Sequence, residues 1–137
     1  MACLTLDTDI LVDLLRGRKK AATVIEMFEK SLERLNTTVI NLFELYYGAY
    51  RLGSADEIAA VRELENTLEI LQLTPKIAEI AGKELAKLAK QGKLIDIRDL
   101  LIGIIARENK CTLVTGNIKH FERISELNIL NWKNITT

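Results

Sequence analysis

The segment CLTLDTDILVDLLRG, residues 3–17, sets the pattern of the chain. Residues 3–6 form a short apolar run that ends at Asp7, and apolar residues at helical spacing follow from residue 10 to residue 15. Gly17 is typical of the end of such a helix. The segment therefore predicts a buried strand that passes directly into a helix, with a carboxylate at the carboxyl end of the strand.

Strand-like and helical segments alternate along the rest of the chain. Four further segments have the apolar or β-branched composition of short strands, at residues 37–40, 70–73, 112–114 and near 129–130. Helical patterns separate them, and parallel strands need such crossover helices. The alternation therefore predicts an α/β sandwich with a mainly parallel sheet.

Polar residues predict where several helices begin. N-caps are expected at four positions, Asn41, Ser54, Thr74 and Asp96. Ser54 followed by Glu57 also fits the capping box pattern, in which two side chains satisfy the free backbone groups of the first helical turn.

Length and composition predict one domain over residues 1–137. The 137 residues are 48% hydrophobic and 28% charged, which suffices for one core and leaves little room for a second. The 19 basic and 19 acidic residues cancel, so the chain lacks the uniform positive field that holds nucleic acid by bulk charge. Any nucleic-acid site must therefore be local.

The two cysteines and the hydropathy pattern bear on the cellular setting. Cys3 and Cys111 lie far apart in sequence and form no CxxC pair, so they support neither a disulfide framework nor a cysteine-rich zinc site. No uninterrupted apolar stretch approaches the length of a membrane span. We expect a soluble, cytoplasmic protein that does not associate with a membrane.

Polar residues follow the predicted strands at their carboxyl ends. Asp7, Glu44 and Asn117 lie at or shortly after the end of a predicted strand, and Asp99 lies in the first turn of a predicted helix. The carboxyl edge of an open α/β sheet is where ligands bind. Carboxylates without neighbouring His or Cys ligands favour Mg²⁺ or Mn²⁺ over zinc. These residues predict a metal site that hydrolyses phosphodiesters.

Most of these acids also have a local explanation. Asn41 with Glu44 resembles a capping box, and Asp96 with Asp99 resembles an N-cap followed by an acid in the first turn. Taken singly, such residues are more often structural than catalytic. Asp7 is different, because an acid that ends a buried strand is desolvated unless another group pairs with it.

Two other functions share parts of this pattern. Asp7, Thr8 and Asp9 after an apolar strand match the opening DxD signature of haloacid-dehalogenase phosphatases, but no lysine motif followed by paired acids occurs downstream in the right context. A non-catalytic receiver-like module also holds Mg²⁺ in an acidic pocket, and its downstream lysine is not evident either. Both functions are kept as alternatives.

Three blocks of sequence carry a family resemblance. They are LDTDILVDLLRG at residues 6–17, TTVINLFELYYGAYRLG at 37–53 and IDIRDLLIGIIARENKCTLVTGNIKHFERI at 95–124. Together they resemble the PIN-domain ribonucleases, specifically the toxins of VapBC toxin–antitoxin systems. The blocks occur in the order of that family and span nearly the whole chain. The resemblance implies a three-layer α/β/α PIN-like domain with a roughly five-stranded sheet.

The resemblance also implies roles for four catalytic residues. Asp7, Glu44 and Asp99 match the three metal-binding acids, and Asn117, two residues after Thr115, matches a fourth polar position. That position is often Asp in the family, so Asn117 is expected to act through a water molecule. A PIN-fold protein that has lost its activity is a further alternative, but the three retained acids speak against it.

Three other polar residues lie near the motifs without a fixed role. Asp9 stands where the family commonly has Asn, and Asp96 stands one turn before Asp99 at a position without a fixed acid, so either could supplement the site. His120 is the only histidine. Because the family's chemistry needs no histidine, His120 is expected to be structural or to face the substrate.

The implied activity is endonucleolytic hydrolysis of RNA with Mg²⁺ or Mn²⁺, which leaves 5′-phosphate and 3′-hydroxyl ends. The implied partners are the RNA substrate, a cognate antitoxin whose tail occupies a groove, and a second copy of the chain in a homodimer. Cations near the site would guide phosphates, and the candidates are Arg51, Arg98, Arg107 and Lys119. Tyr46, Tyr47 and Tyr50 cannot all face the core of one helix, so at least one is expected at an interface.

Overall fold

The computed structural model describes residues 2–137, and these residues contain a five-stranded sheet. Its strands are β1 (Cys3–Leu6), β2 (Arg34–Thr38), β3 (Glu69–Leu71), β4 (Thr112–Val114) and β5 (Ile129–Leu130). The order across the sheet is β3-β2-β1-β4-β5, and every neighbouring pair is parallel. The predicted parallel sheet is confirmed.

Helices connect the successive strands. They are α1 (Thr8–Leu15), α2 (Lys19–Lys30), α3 (Val39–Leu52), α4 (Ala55–Thr67), α5 (Pro75–Lys90), α6 (Ile97–Glu108) and α7 (Ile118–Phe121), and a 3-10 turn follows at Trp132–Asn134. The short α7 and the 3-10 turn were not predicted, because three or four residues carry too little periodicity. Within the described part of the chain, no helix is long and apolar enough to cross a membrane.

Two apolar clusters cover the two faces of the sheet. Side chains of α1 to α4 pack with Leu4 and Leu6 of β1 and with the buried Trp132. Side chains of α5 and α6 pack with Leu113 of β4 and with Phe121 on the other face. Helices therefore lie on both sides of the sheet, and the three-layer α/β/α architecture is confirmed.

The start of α3 corrects one prediction. The strand predicted at residues 37–40 ends at Thr38, and the helix begins at Val39, so Asn41 is not the N-cap. The Thr38 hydroxyl instead accepts a hydrogen bond from the Asn41 backbone, and the Asn41 side chain accepts one from the Thr38 backbone. The capping box is thus Thr38 with Asn41, and Glu44 has no capping role.

The other three predicted N-caps are confirmed. The side chains of Ser54, Thr74 and Asp96 accept hydrogen bonds from backbone N–H groups in the first turns of α4, α5 and α6. Asp96 therefore fixes the entry into α6, the helix that carries Asp99.

Cys3 and Cys111 correct a second expectation. The sequence offers no support for a disulfide, but the two residues form one in the structure, with a Cα–Cα distance of 4.6 Å. The parallel register pairs Leu4 of β1 with Thr112 of β4, which makes the preceding residues neighbours. A sequence separation of 108 residues hides this proximity. The disulfide lies at the amino edge of the sheet, opposite to the carboxyl ends of the strands.

Candidate active site at the carboxyl edge of the sheet

The strands that follow β1 lie on both sides of it in the sheet, β2 and β3 on one side and β4 and β5 on the other. From β1 the chain proceeds through β2 to β3 at one edge, and it then returns to β4 on the other side of β1. Open α/β sheets bind ligands at such a switch point, outside the carboxyl ends of the strands. Asp7 directly follows β1, and its backbone N–H donates to the carbonyl of Val114, the last residue of β4, at 3.0 Å.

A cavity of about 640 Å³ opens at this switch point. Its lining includes the four residues predicted as catalytic, which are Asp7, Glu44, Asp99 and Asn117. Asp7 follows β1, Glu44 comes from α3, Asp99 from α6 and Asn117 from the residue before α7. The structure thus brings the four predicted residues together from separate elements, and their catalytic roles stay predictions.

Asp7 is almost completely buried and lines the cavity. Asn41 Nδ2 donates to its Oδ1 at 3.0 Å, and Thr115 Oγ1 donates to its Oδ2 at 2.7 Å. Burial raises the pKa of Asp7 to about 6, and the negative charges of Asp9 and Glu44 add to the rise while the bond from Thr115 opposes it. Asp7 is therefore fixed in position and sensitive to nearby charge.

Glu44 is held in the same hydrogen-bond network. Thr8 Oγ1 donates to Glu44 Oε1 at 2.8 Å, and Asn41 Nδ2 donates to Thr8 Oγ1 at 2.9 Å. The other oxygen, Glu44 Oε2, lies 3.5 Å from a guanidinium nitrogen of Arg98. Asn41 therefore links the carboxylates of Asp7 and Glu44, directly in one case and through Thr8 in the other.

Asp99 lies in the first turn of α6 and is half-buried. Its Oδ2 lies 3.5 Å from His120 Nδ1. Burial raises the pKa of Asp99, the charges of Asp96 and Glu44 add to the rise, and His120 and Arg98 oppose it. His120 thus contacts a predicted metal-binding acid.

Asn117 precedes α7 and leaves its side chain free of a capping bond. Its backbone N–H donates to Thr115 Oγ1 at 3.0 Å. The Thr115 hydroxyl therefore contacts both the Asp7 carboxylate and the Asn117 backbone. These two contacts position the turn that places Asn117 in the cavity lining.

Asp9 has a structural role. Its Oδ1 accepts from the backbone of Ile10 at 2.8 Å, and its Oδ2 accepts from the Gly116 backbone at 2.7 Å and from Trp132 Nε1 at 3.1 Å. These bonds tie the start of α1 to the turn after β4 and to the 3-10 turn. Because the second acid of the DxD pattern is engaged in this way, the phosphatase alternative gains no support.

Basic side chains occupy part of the cavity lining. Arg98 and Lys119 line it as the sequence suggested, and Arg123 lines it as well. Arg51 lines a different cavity, and Arg107 pairs with glutamates and lies outside the site. Half of the basic residues predicted to rim the site therefore do so.

The donor chemistry of the cavity fits a hard divalent cation, because its carboxylate and amide oxygens are the ligands that Mg²⁺ and Mn²⁺ prefer. With the side chains as placed, no three His, Cys, Asp or Glu side chains among residues 2–137 lie close enough together to hold one ion. Two of the three predicted ligands contact other side chains, Glu44 the guanidinium of Arg98 and Asp99 the imidazole of His120.

A second cavity of about 580 Å³ adjoins the first. It lies between α1, α3 and α4, its lining is mainly apolar, and Arg16 and Arg51 contribute to it. Glu44 lines both cavities. The second cavity is therefore an apolar groove that leads to the candidate active site.

An aromatic stripe runs along the exposed side of α3. Phe43, Tyr47 and Tyr50 are exposed, whereas Tyr46 is half-buried and donates a hydrogen bond to Glu65. The prediction that the three tyrosines do not all face the core is confirmed.

Sequence reasoning missed the residues that position the acids. The sequence pattern singles out Thr8 only as part of DxD and Asn41 only as an N-cap, yet both bind the carboxylates. The available signal was placement, because each is a small hydrogen-bonding residue next to a predicted ligand in sequence or one helical turn before it. The contact between Arg98 and Glu44 left no sequence signal, since the two residues lie on different helices.

Comparison with known proteins finds similarity over nearly the whole chain. The family model described as PIN domain matches residues 4–127. The chain is 34% identical over 128 residues to ribonuclease VapC2 of Haemophilus influenzae, across 93% of this chain and 96% of that protein. It is 28% identical to the tRNA(fMet)-specific endonuclease VapC of Shigella flexneri, with the same coverage. Its fold matches a chain of Rickettsia felis VapBC2 bound to a promoter DNA fragment, with a TM-score of 0.83, 29% identity, and coverage of 95% of this chain and 98% of that one.

Proposed function

The chain belongs to the PIN-domain family, and from this premise we propose that it is a metal-dependent endoribonuclease, the toxin of a VapBC-type toxin–antitoxin pair. The observation that supports this proposal most is the convergence of acids from three separate elements on one cavity. Asp7, Glu44 and Asp99 line it beside Asn117, and the cavity lies at the switch point of the sheet.

Asp7, Glu44 and Asp99 would hold the cation, Mg²⁺ or Mn²⁺. The pKa values of Asp7 and Asp99 are raised in part by the negative charge of Glu44, so these acids repel one another. A divalent cation relieves that repulsion, and when bound it supplies an activated water and stabilises charge at the phosphate. Asn117 would contact the site through water.

The positioning residues prepare this site before substrate arrives. Thr115 and Asn41 each donate to one oxygen of Asp7, which fixes the orientation of the buried carboxylate. Thr8 does the same for Glu44. Ligands that are oriented by such hydrogen bonds lose little freedom when they bind an ion.

The substrate is RNA whose phosphates approach along the cationic part of the lining, formed by Arg98, Lys119 and Arg123. A relative named as specific for tRNA(fMet) makes initiator tRNA the first substrate to test. Hydrolysis by an activated water yields 5′-phosphate and 3′-hydroxyl ends.

Cleavage of a labelled RNA pool tests the function. Wild-type protein with Mg²⁺ or Mn²⁺ should cleave it, and EDTA or Asp7→Asn should abolish cleavage. Asp13→Asn is the matched control, because Asp13 lies on α1 outside the lining of the cavity. Failure to cleave any RNA in the presence of either metal would contradict the proposal.

The apolar groove between α1, α3 and α4 is the proposed binding site of the antitoxin tail. The groove meets the active site at Glu44, so a segment bound in it would also restrict access to the carboxylates. The matched Rickettsia felis structure is a VapBC complex. Co-expression with a cognate antitoxin, followed by purification, should give a complex without ribonuclease activity.

The protein is further proposed to be a homodimer in the cytoplasm. The exposed aromatic stripe Phe43, Tyr47 and Tyr50 on α3 is a surface that a second copy would cover. Light scattering should report twice the monomer mass, and Tyr47→Asp should shift the mass towards that of the monomer.

A further inference from the structure

Among residues 2–137, three basic side chains, Arg98, Lys119 and Arg123, line the candidate active site, and Arg98 contacts two of its carboxylates. Its Nη1 lies 3.5 Å from Glu44 Oε2, and its Nε lies 3.4 Å from Asp96 Oδ1. The guanidinium therefore bridges α6, which carries Arg98, and α3, which carries Glu44.

The backbone around Arg98 holds it in this place. Asp96 caps α6 by accepting a hydrogen bond from the Arg98 backbone at 2.8 Å, and the same carboxylate contacts the Arg98 guanidinium. Asp96 thus holds both the backbone N–H and the guanidinium of Arg98. The side chain is still 54% exposed, so part of the guanidinium faces the solvent from which a substrate arrives.

The chemistry of the guanidinium suits a phosphate. Arginine carries five N–H donors in a planar fork that matches the oxygens of a phosphate or carboxylate, and its charge does not titrate in proteins. The cavity around it is lined by five carboxylates, Asp7, Asp9, Glu44, Asp96 and Asp99, which repel RNA. A cation held among them is placed to offset that repulsion where the substrate is cleaved.

We propose that Arg98 positions the substrate by exchanging partners: it pairs with Glu44 in the metal-free protein and with a backbone phosphate of the RNA once Glu44 serves as a metal ligand. This inference rests on the proposed function. It is supported by the contact between Arg98 and Glu44, in an arrangement where no three acid, His or Cys side chains among residues 2–137 lie close enough together to hold one ion.

If Arg98 exchanges partners, one substitution should have opposite effects on metal binding and on RNA binding. Arg98→Gln frees Glu44 and removes a positive charge beside it, so the protein should bind Mn²⁺ about two- to fivefold more tightly. The same change removes a charged donor to the phosphate, so KM for RNA should rise about tenfold with a smaller change in kcat. A substitution that only disturbed the fold would weaken both Mn²⁺ binding and RNA binding.

The experiment measures Mn²⁺ binding by calorimetry without RNA, and KM and kcat for a cleaved RNA with Mn²⁺. Arg34→Gln is the matched control, because it also releases a glutamate from an arginine but at the amino end of β2. Arg34→Gln should change neither quantity, and Arg98→Lys should recover part of the KM loss.

Weaker or unchanged Mn²⁺ binding by Arg98→Gln, or an unchanged KM, would overturn the exchange. If wild-type protein cleaves no RNA, the proposed function fails and the RNA half of the exchange fails with it. The calorimetry of Arg98→Gln still decides in that case whether Arg98 competes for Glu44.

Discussion

The Thr115 hydroxyl donates a 2.7 Å hydrogen bond to Asp7 Oδ2, and the two residues are 108 positions apart in sequence. They meet because β1 and β4 are parallel neighbours and each residue directly follows its strand. Thr115 Oγ1 also accepts from the Asn117 backbone. One hydroxyl therefore connects a predicted metal ligand with the turn that carries the fourth polar residue of the site.

Thr115→Val should lower metal-dependent cleavage roughly 10- to 100-fold, because Asp7 loses a bond that orients it and favours its charged form. Mn²⁺ affinity, measured by calorimetry, should fall with activity. Thr112→Val, a substitution at the other end of β4, is the control and should behave as wild type. Equal activity of both variants would show that Thr115 does not support Asp7.

Asp7→Asn should stabilise the metal-free fold at neutral pH. The pKa of Asp7 is raised from 3.8 to about 6, so the folded state holds this proton more tightly than the unfolded chain does. The stabilising contribution of the bound proton is present below pH 4 and is lost as the pH rises through 6. The difference between 3.8 and about 6 corresponds to about 3 kcal/mol, and an uncharged Asn at position 7 avoids this loss. The amide nitrogen of that Asn can face Thr115 Oγ1, because a hydroxyl can accept as well as donate.

Urea unfolding in EDTA between pH 4 and pH 8 checks this effect. The free energy of unfolding of Asp7→Asn should exceed that of wild type at pH 8, and the difference should shrink towards pH 4. A difference that does not depend on pH would mean that the charge of Asp7 is not the cause.

Asp9→Asn should have the opposite effect on stability. Asp9 Oδ2 accepts from the Gly116 backbone and from Trp132 Nε1, and an amide nitrogen in that place would leave these donors without an acceptor. The loss should be roughly 1–3 kcal/mol. Urea unfolding at pH 8 measures it, and a stability equal to or above that of wild type would refute the structural role of Asp9.

Reduction of the Cys3–Cys111 disulfide should lower stability but leave catalysis intact. The bond closes a loop of about a hundred residues, and its loss should cost roughly 2–4 kcal/mol. It lies at the amino edge of the sheet, away from Asp7. Unfolding and RNA cleavage with and without dithiothreitol measure both effects, and a Cys3→Ser, Cys111→Ser double variant should no longer respond to the reductant.

The sequence predicts the repeating pattern of the fold well but places short elements poorly. Apolar strands and periodic helices are local signals, so the parallel sheet and the caps at Ser54, Thr74 and Asp96 follow from residues close in sequence. Val39 and Ile40 have the composition of a strand, yet Thr38 caps a helix there, so the local capping box overrides the β propensity of these two residues.

In the candidate site, too, the sequence predicts some features and misses others. Asp7, Glu44 and Asp99 could be named because motif and strand position point to them. The Cys3–Cys111 pairing and the Arg98–Glu44 contact could not, because each joins segments whose proximity depends on strand register or helix packing. The sequence alone does not decide whether Asp9 supplements the site, and its bonds to Gly116 and Trp132 show its structural role.

The chemistry of the RNA ends tests the central claim most directly. Attack by a metal-activated water leaves 5′-phosphate and 3′-hydroxyl ends, whereas attack by the ribose 2′-hydroxyl leaves a 2′,3′-cyclic phosphate. Mass spectrometry of RNA cleaved with Mn²⁺ should show 5′-phosphate ends, and the products should disappear with EDTA and with Asp99→Asn. Cyclic phosphate ends, or cleavage that persists in EDTA, would contradict a metal-dependent hydrolase at Asp7, Glu44 and Asp99.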